Sequence, residues 1–276
     1  MSSLPPRRRL VGVSTKMYFT FSRTLSYTQS LLSSLSRLSP STLSTLAEID
    51  IFIIPDHISL VTVQSLLTTS PLPILLGAQD AHSADLGAYT GEVSPAVLSE
   101  VGCRILELGH AERRRLFGET DESASLKAAA AARNGMVPLI CVGEKTKPSP
   151  SSPLTTGSGG EEDLDINTSL PEILTQVNTV LAAVPPDADV ILAYEPVWAI
   201  GAAAPASASY VVGVTQAMRQ FESVTQRSGT TRILYGGSAG PGLFEKLKDG
   251  VDGLFLGRFA HDVESFVRTI CEVATA

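Results

Sequence analysis

Cysteine is scarce in this 276-residue chain: there are three, Cys103, Cys141 and Cys271, odd in number and widely separated. That usage excludes a disulfide framework and metal-ligand spacing, and it fits a reducing, cytoplasmic compartment. Long apolar runs are also missing. No segment approaches the roughly 18 apolar residues of a membrane span, and the opening MSSLPPRRRL has no apolar stretch behind its arginines to make a signal peptide. That arm, residues 1–8, is expected to fray. The net charge is −7, from 21 Lys and Arg against 28 Asp and Glu, and argues against nucleic acid as a partner. With 43% hydrophobic and 18% charged residues the composition is globular. A chain of this length buries about three quarters of its extended surface, so it needs no staples.

What the chain does have is alternation. Eight nearly continuous apolar runs recur, at 9–14, 50–55, 73–79, 104–109, 136–143, 189–194, 232–237 and 251–257. Strands covered on both faces read this way. Between them lie helical segments: SRTLSYTQSLLSSLSRL, ESASLKAAAAARNG with Gly135 as its stop, PEILTQVNTVLAAV and SYVVGVTQAMRQFESVT. Eight strand–helix units in this length predict an α/β fold, a single closed (β/α)8 TIM barrel over residues 1–276, rather than an open doubly wound sheet. One stretch breaks the rhythm. TKPSPSSPLTTGSGGEEDLD, 146–165, is rich in Ser, Pro and Gly and then acidic, and predicts a mobile surface loop.

On such a barrel chemistry gathers at the carboxyl ends of the strands, so the informative residues are the polar ones just after each apolar run. The first strand offers Ser14 and Lys16, the fourth His110 and Glu112, and the sixth Glu195. The seventh and eighth end in GGSAG and LGRFA. An acid after a strand elsewhere more often caps a turn or pairs at the surface, and a histidine after a glycine is more often structural. His57, His82 and His261 have no comparable setting and read as bystanders.

AYEPVWAIG, LGHAERRRLFGE, GAYTGEVSP, ICVGE and LYGGS together resemble triosephosphate isomerase, and the resemblance runs from about residue 9 to 270. It implies a dimeric barrel that moves a proton between adjacent carbons of a small phosphorylated sugar, with no metal and no organic cofactor. Glu195 is then the base, which must be shielded from water to be strong enough. His110 donates to the developing oxyanion. In triosephosphate isomerase itself, the standard worked case, the histidine stays neutral because a helix N-terminus lowers its pKa, and here AERRRLF supplies that helix. Lys16 contributes a fixed positive charge, strongest in a water-poor pocket. Glu112 fixes either the lysine or the substrate hydroxyls, or else pairs with Arg113 or Arg114.

Phosphate binding falls to Gly237, Ser238 and Gly257, with Gly201 contributing its N–H, because glycines let the chain approach the anion. The loop PVWAIGAAAPA resembles the family's lid. It has a hinge at Pro196 to Trp198, a tip around Ala203, and Tyr235 and Ser238 as latches; its closure expels water from around Glu195. In GAYTGEVSP, Thr90 matches the residue that reaches the partner subunit near Lys16, and Glu92 with Arg113 matches an ion pair across that interface.

The departures point to the substrate. The family usually has Asn where this chain has Ser14, Trp at Thr15, Ser at Ala111, Thr-Gly-Lys at Ala202 to Ala204, and a second glycine at Arg258. A shorter Ser14 widens the pocket, and Arg258 either grips phosphate bidentately or crowds the site. The pair resembles tetrulose-phosphate isomerases. The family default, dihydroxyacetone phosphate to glyceraldehyde 3-phosphate, with its place in glycolysis and gluconeogenesis, is put first and a four-carbon ketose phosphate second. A homologue without turnover, surviving as a sugar-phosphate or partner-binding module, is the alternative from another class, against which the intact Lys16, His110 and Glu195 speak.

Overall fold

A computed structural model describes residues 7–150, 164–200 and 206–276. Eight parallel strands close into one barrel in sequence order, β1 pairing with both β2 and β8. They are β1 (Leu10–Ser14), β2 (Asp50–Ile54), β3 (Ile74–Gln79), β4 (Ile105–Leu108), β5 (Val137–Val142), β6 (Val190–Tyr194), β7 (Thr231–Tyr235) and β8 (Gly253–Leu256). Seven of them fall within the apolar runs, and β7 begins one residue before its run. The helical segments appear at Phe21–Ser36, Asp121–Arg133 and Leu170–Ala183, while the fourth divides into Ala208–Arg219 and Glu222–Thr225. Gly135, φ 72°, lies two residues beyond Arg133.

The period of two along each strand sorts the side chains into two cores. Val11, Val13, Ile51, Ile53, Leu106 and Leu108 face outward against the helices, whereas Leu10, Phe52, Ile54, Ile105, Leu139, Ile191, Leu234 and Phe255 fill the barrel. Phe52 and Phe255 stack at 5.7 Å in that interior. A Cβ on Gly12 would come within 2.3 Å of the Phe52 ring, so the glycine on β1 makes room for it. The alternation then dictates the uppermost layer. Ser14 follows Leu10 and Gly12 on β1, Gln79 follows Gly77 on β3, Glu107 follows Ile105 on β4, and Glu195 follows Ala193 on β6. An apolar interior is thus capped by a polar ring.

At the opposite end the arginine arm corrects its expectation of fraying over the part that is described. Arg7 reaches Asp252 at 3.1 Å and Arg8 reaches Asp50 at 2.6 Å, while Arg9 donates to the Val273 carbonyl at 2.9 Å. Asp50 also pairs with Arg232, and Asp252 with Arg219. The reason is electrostatic: Asp252 is a buried carboxylate at the start of β8, and a buried charge must be paired. Of the 146–165 insertion, Pro150 and Leu164 meet in an antiparallel bridge, and residues 151–163 lie outside the described part.

Replacing Gly12 by Ala is expected to destabilise the protein by about 1–3 kcal/mol through overpacking against Phe52. A urea unfolding midpoint equal to that of the unaltered protein would contradict this packing.

Candidate active site

Lys16, two residues past β1, has φ 47°, a conformation few non-glycine residues adopt. The turn is held by Gln79, whose Nε2 donates to the Lys16 carbonyl at 3.0 Å and to that of Ile54 at 3.3 Å. Its ammonium meets Glu112 Oε1 at 2.9 Å. Burial opposes that charge, but the bond to Glu112 and the charges of Glu112, Glu195 and Glu107 outweigh it and raise the lysine pKa. Glu112 thereby takes the first of its expected roles. Arg113 pairs with Asp80 at 2.7 Å and Arg114 with Asp121.

His110 is the N-cap of the helix Ala111–Phe117, and its Nδ1 accepts from the Glu112 backbone N–H at 3.1 Å. An acceptor at Nδ1 assigns the proton of the neutral ring to Nε2. The Glu112 carboxylate lies 3.6 Å from the same nitrogen, too far for a good bond. Burial, and then the positive charge of Lys16, lower the His110 pKa to about 4, so the imidazole is neutral at physiological pH. Its Nε2 faces Glu195 Oε2 at 3.5 Å.

Glu195 continues β6, its backbone N–H donating to Val142 at 2.8 Å. The side chain is 3% exposed. Cys141 approaches Oε1 at 3.8 Å, and Oε2 has no hydrogen-bond partner among the described residues. Burial raises the pKa to about 8, against the opposing pull of Lys16 and with a further push from Glu107. A Cβ on Gly236 would sit 2.6 Å from Oε1, which is why β7 continues into glycine beside this carboxylate.

These three side chains open on one cavity of about 280 Å³, also lined by Ser14, Glu112, Gly237, Ser238, Gly257 and Arg258. Arg258 is exposed at its mouth and makes no ion pair among the described residues. Ser14 donates to Glu107 Oε2 at 2.9 Å. Of the expected lid, Pro196 caps the short turn Val197–Ala199, and Trp198 Nε1 donates to Glu144 Oε1 at 2.6 Å. Gly201 and Ala203, with Ala202, Ala204 and Pro205, lie outside the described residues. Tyr235 brings a buried hydroxyl with no partner among the described residues, and Ser238 stands at the cavity wall. Three contributors were not singled out in the sequence. Glu144 ends ICVGE and accepts from Trp198, Tyr194 and Tyr210; Gln79 ends an apolar run and Glu107 interrupts one, which was the available signal.

No group of three or more His, Cys, Asp or Glu placed to hold a metal ion occurs among the described residues, and no helix there is long and apolar enough to cross a membrane.

Proton transfer beside a carbonyl is the chemistry such an acid–base pair serves, and a (β/α)8 barrel carrying it at the C-terminal rim falls among the sugar-phosphate isomerases. A profile of the triosephosphate isomerase family matches residues 9–274. The chain is 43% identical to an L-erythrulose-1-phosphate isomerase of Pectobacterium atrosepticum, over 98% of this chain and 97% of the relative. It is 37% identical to a protein of the same name from Rhizobium etli, over 96% and 92%. A triosephosphate isomerase of Chloroflexus aurantiacus is 35% identical, over 95% and 97%. The chain belongs to the triosephosphate isomerase family.

The raised Glu195 pKa carries a stability consequence. Its folded value of about 8 lies above the unfolded one of about 4.3, so folding favours the protonated acid. That contribution is fully present below about pH 4 and is lost as pH rises through about 8. Glu195→Gln is therefore expected to be more stable than the unaltered protein by on the order of 2–4 kcal/mol at alkaline pH, and nearly equal to it in acid. Urea unfolding across the pH range tests this, and a gain independent of pH would contradict it.

Proposed function

We propose that this protein interconverts two four-carbon ketose phosphates by moving a proton between adjacent carbons through an enediolate. The carrying observation is the Ser14 wall: a short hydroxyl side chain lines the cavity beside Lys16, where it leaves room for one more carbon. The relatives favour the same ordering, since greater identity goes to proteins named for L-erythrulose 1-phosphate than to the triosephosphate isomerase. The four-carbon reading thus moves ahead of the triose one, and erythrulose metabolism replaces glycolysis and gluconeogenesis as its setting.

The chemistry is specific. In erythrulose 1-phosphate the carbonyl is at C2, and C1 bears the phosphate ester and has no hydroxyl to become a carbonyl. C3 carries both a hydrogen and a hydroxyl. Glu195 removes the C3 proton, the electron pair forms the C2–C3 double bond, and negative charge appears on the C2 oxygen. His110 Nε2–H and the Lys16 ammonium stabilise that oxygen, donors already in place before the charge develops. His110 Nε2 gives its proton to the C2 oxygen and takes the one on the C3 hydroxyl; Glu195 returns its proton to C2, and the carbonyl is left at C3, which gives erythrulose phosphorylated at its other end. Compared with dihydroxyacetone phosphate, the substrate has one hydroxymethyl more on the reacting carbon. Gly237, Ser238 and Gly257 hold the phosphate, with the Arg258 guanidinium, while Pro196 and Trp198 belong to the lid.

Turnover of erythrulose 1-phosphate with kcat/KM well above that for dihydroxyacetone phosphate is expected; preference for the triose would reverse the ordering, and turnover of neither would favour a binding module. Glu195→Asp should slow turnover by well over about tenfold, because it withdraws the carboxylate by roughly one bond. Unchanged turnover removes Glu195 from the mechanism.

A homodimer belongs to the same proposal. The loop 87–95 carries exposed Tyr89 and Thr90, Leu86 beside it is 83% exposed, and Met17 next to the lysine is 95% exposed. Such apolar exposure on the loops after β1 and β3 supports a contact surface. Within one chain Arg113 is taken by Asp80, so its pairing with Glu92 of a second copy would require sharing it. Sedimentation equilibrium is expected to give twice the chain mass, and a monomer at micromolar concentration would contradict the dimer.

A further inference from the structure

Among the buried acids that the proton-transfer steps do not use, Glu107 is bonded to the cavity wall. Glu107 projects into the barrel from β4, one layer above Ile105, where every lower neighbour is apolar. It is 6% exposed. An uncharged residue of similar volume would fill this position without the penalty of desolvating a carboxyl. Burial pushes its pKa up to about 7; the Ser14 hydrogen bond and then the Lys16 charge oppose the rise, while Glu112 and Asp80 add to it. Among the described residues its one side-chain hydrogen bond is from Ser14 at 2.9 Å, and Ser14 stands in the cavity wall.

A serine hydroxyl has a single proton to give and lone pairs to receive others. Once Glu107 is ionised, which its pKa of about 7 places above neutral pH, the serine proton is committed to the carboxylate, and what remains for the cavity is an acceptor, made stronger by polarisation toward the charged partner. We propose that Glu107 is the specificity-determining positioning residue: it holds Ser14 as an acceptor, and the group so selected is the terminal hydroxymethyl of a four-carbon ketose phosphate. This rests on the four-carbon reading of the site. A triose phosphate has no hydroxyl to offer there and gains nothing from the arrangement, whereas the longer sugar donates to Ser14 Oγ and is held with its C3 hydrogen toward Glu195. Glu107 touches no reacting atom and acts only through Ser14. A serine free to rotate would offer donor or acceptor alike and so would discriminate less.

The test is the ratio of kcat/KM for erythrulose 1-phosphate to that for dihydroxyacetone phosphate, measured in the full-length protein, the Glu107→Leu variant, the Ser14→Ala variant and the double variant. Glu107→Leu is expected to lower the ratio by about tenfold to a hundredfold, mostly through KM for the four-carbon substrate. The double variant should be no worse than the poorer single one, since the two residues act as a unit. A purely structural carboxyl would depress both substrates alike, and an unchanged ratio overturns the proposal, as does additivity of the two substitutions. If Glu107→Leu fails to fold, Glu107→Gln decides: its neutral amide should lower the ratio by at least about threefold, and no change is again fatal. Failure of the unaltered protein to turn over erythrulose 1-phosphate overturns both this proposal and the four-carbon function, whereas turnover with an unresponsive ratio overturns this one alone.

Discussion

The withdrawal of Glu195 from water is the constraint on which the rest of the site depends. A carboxylate in solvent is too weak a base to deprotonate a carbon beside a carbonyl, and burial is what lifts its proton affinity. Burial also explains the company it keeps. An ammonium at Lys16 limits the rise, a neutral imidazole at His110 avoids neutralising the base, and Gly236 clears the space the carboxylate occupies. Each of these would be unnecessary beside an exposed acid. The protein therefore sacrifices stability where the reaction is carried out, a familiar trade between activity and folding.

The fold was largely legible because its signals are local and repeated. Each strand is a short apolar run, and eight of them leave few alternatives to a closed ring. Helices were read where a stripe persisted for three turns, as in Asp121–Arg133. Pro40–Leu46, Leu60–Leu67 and Pro95–Val101 are seven or eight residues long, too short for a period to declare itself. Val263–Thr275 was not read although it was long enough: Phe266, Thr269, Ile270 and Val273 are spaced along one buried face. The long segment 209–225 was read as one helix, but Phe221 turns inward and divides it.

Site residues that announce themselves by type, Lys16, His110 and Glu195, were legible, and those whose role is relational were not. Glu107 reads as an interruption in RILELG until the barrel brings Ser14 against it from 93 positions away. Glu144 needs Tyr194, Trp198 and Tyr210 around it before it is more than a loop acid. The arginine arm was misjudged for the same reason. Its partners, Asp50 and Asp252, sit on strands far along the chain, and nothing adjacent to the arginines advertises them.

Pairing of the first strand with the last has a bearing on how the chain is made. During synthesis β1 precedes β8 by more than two hundred residues, so the open edge of β1 must wait until the other strands have been made. An unpaired edge of sequence LVGVS invites association with other nascent chains. Three arginines immediately upstream place like charge on every copy at that edge, as gatekeepers do beside aggregation-prone strands. The same guanidinium groups that brace the finished barrel thus set like charge against the pairing of its precursors.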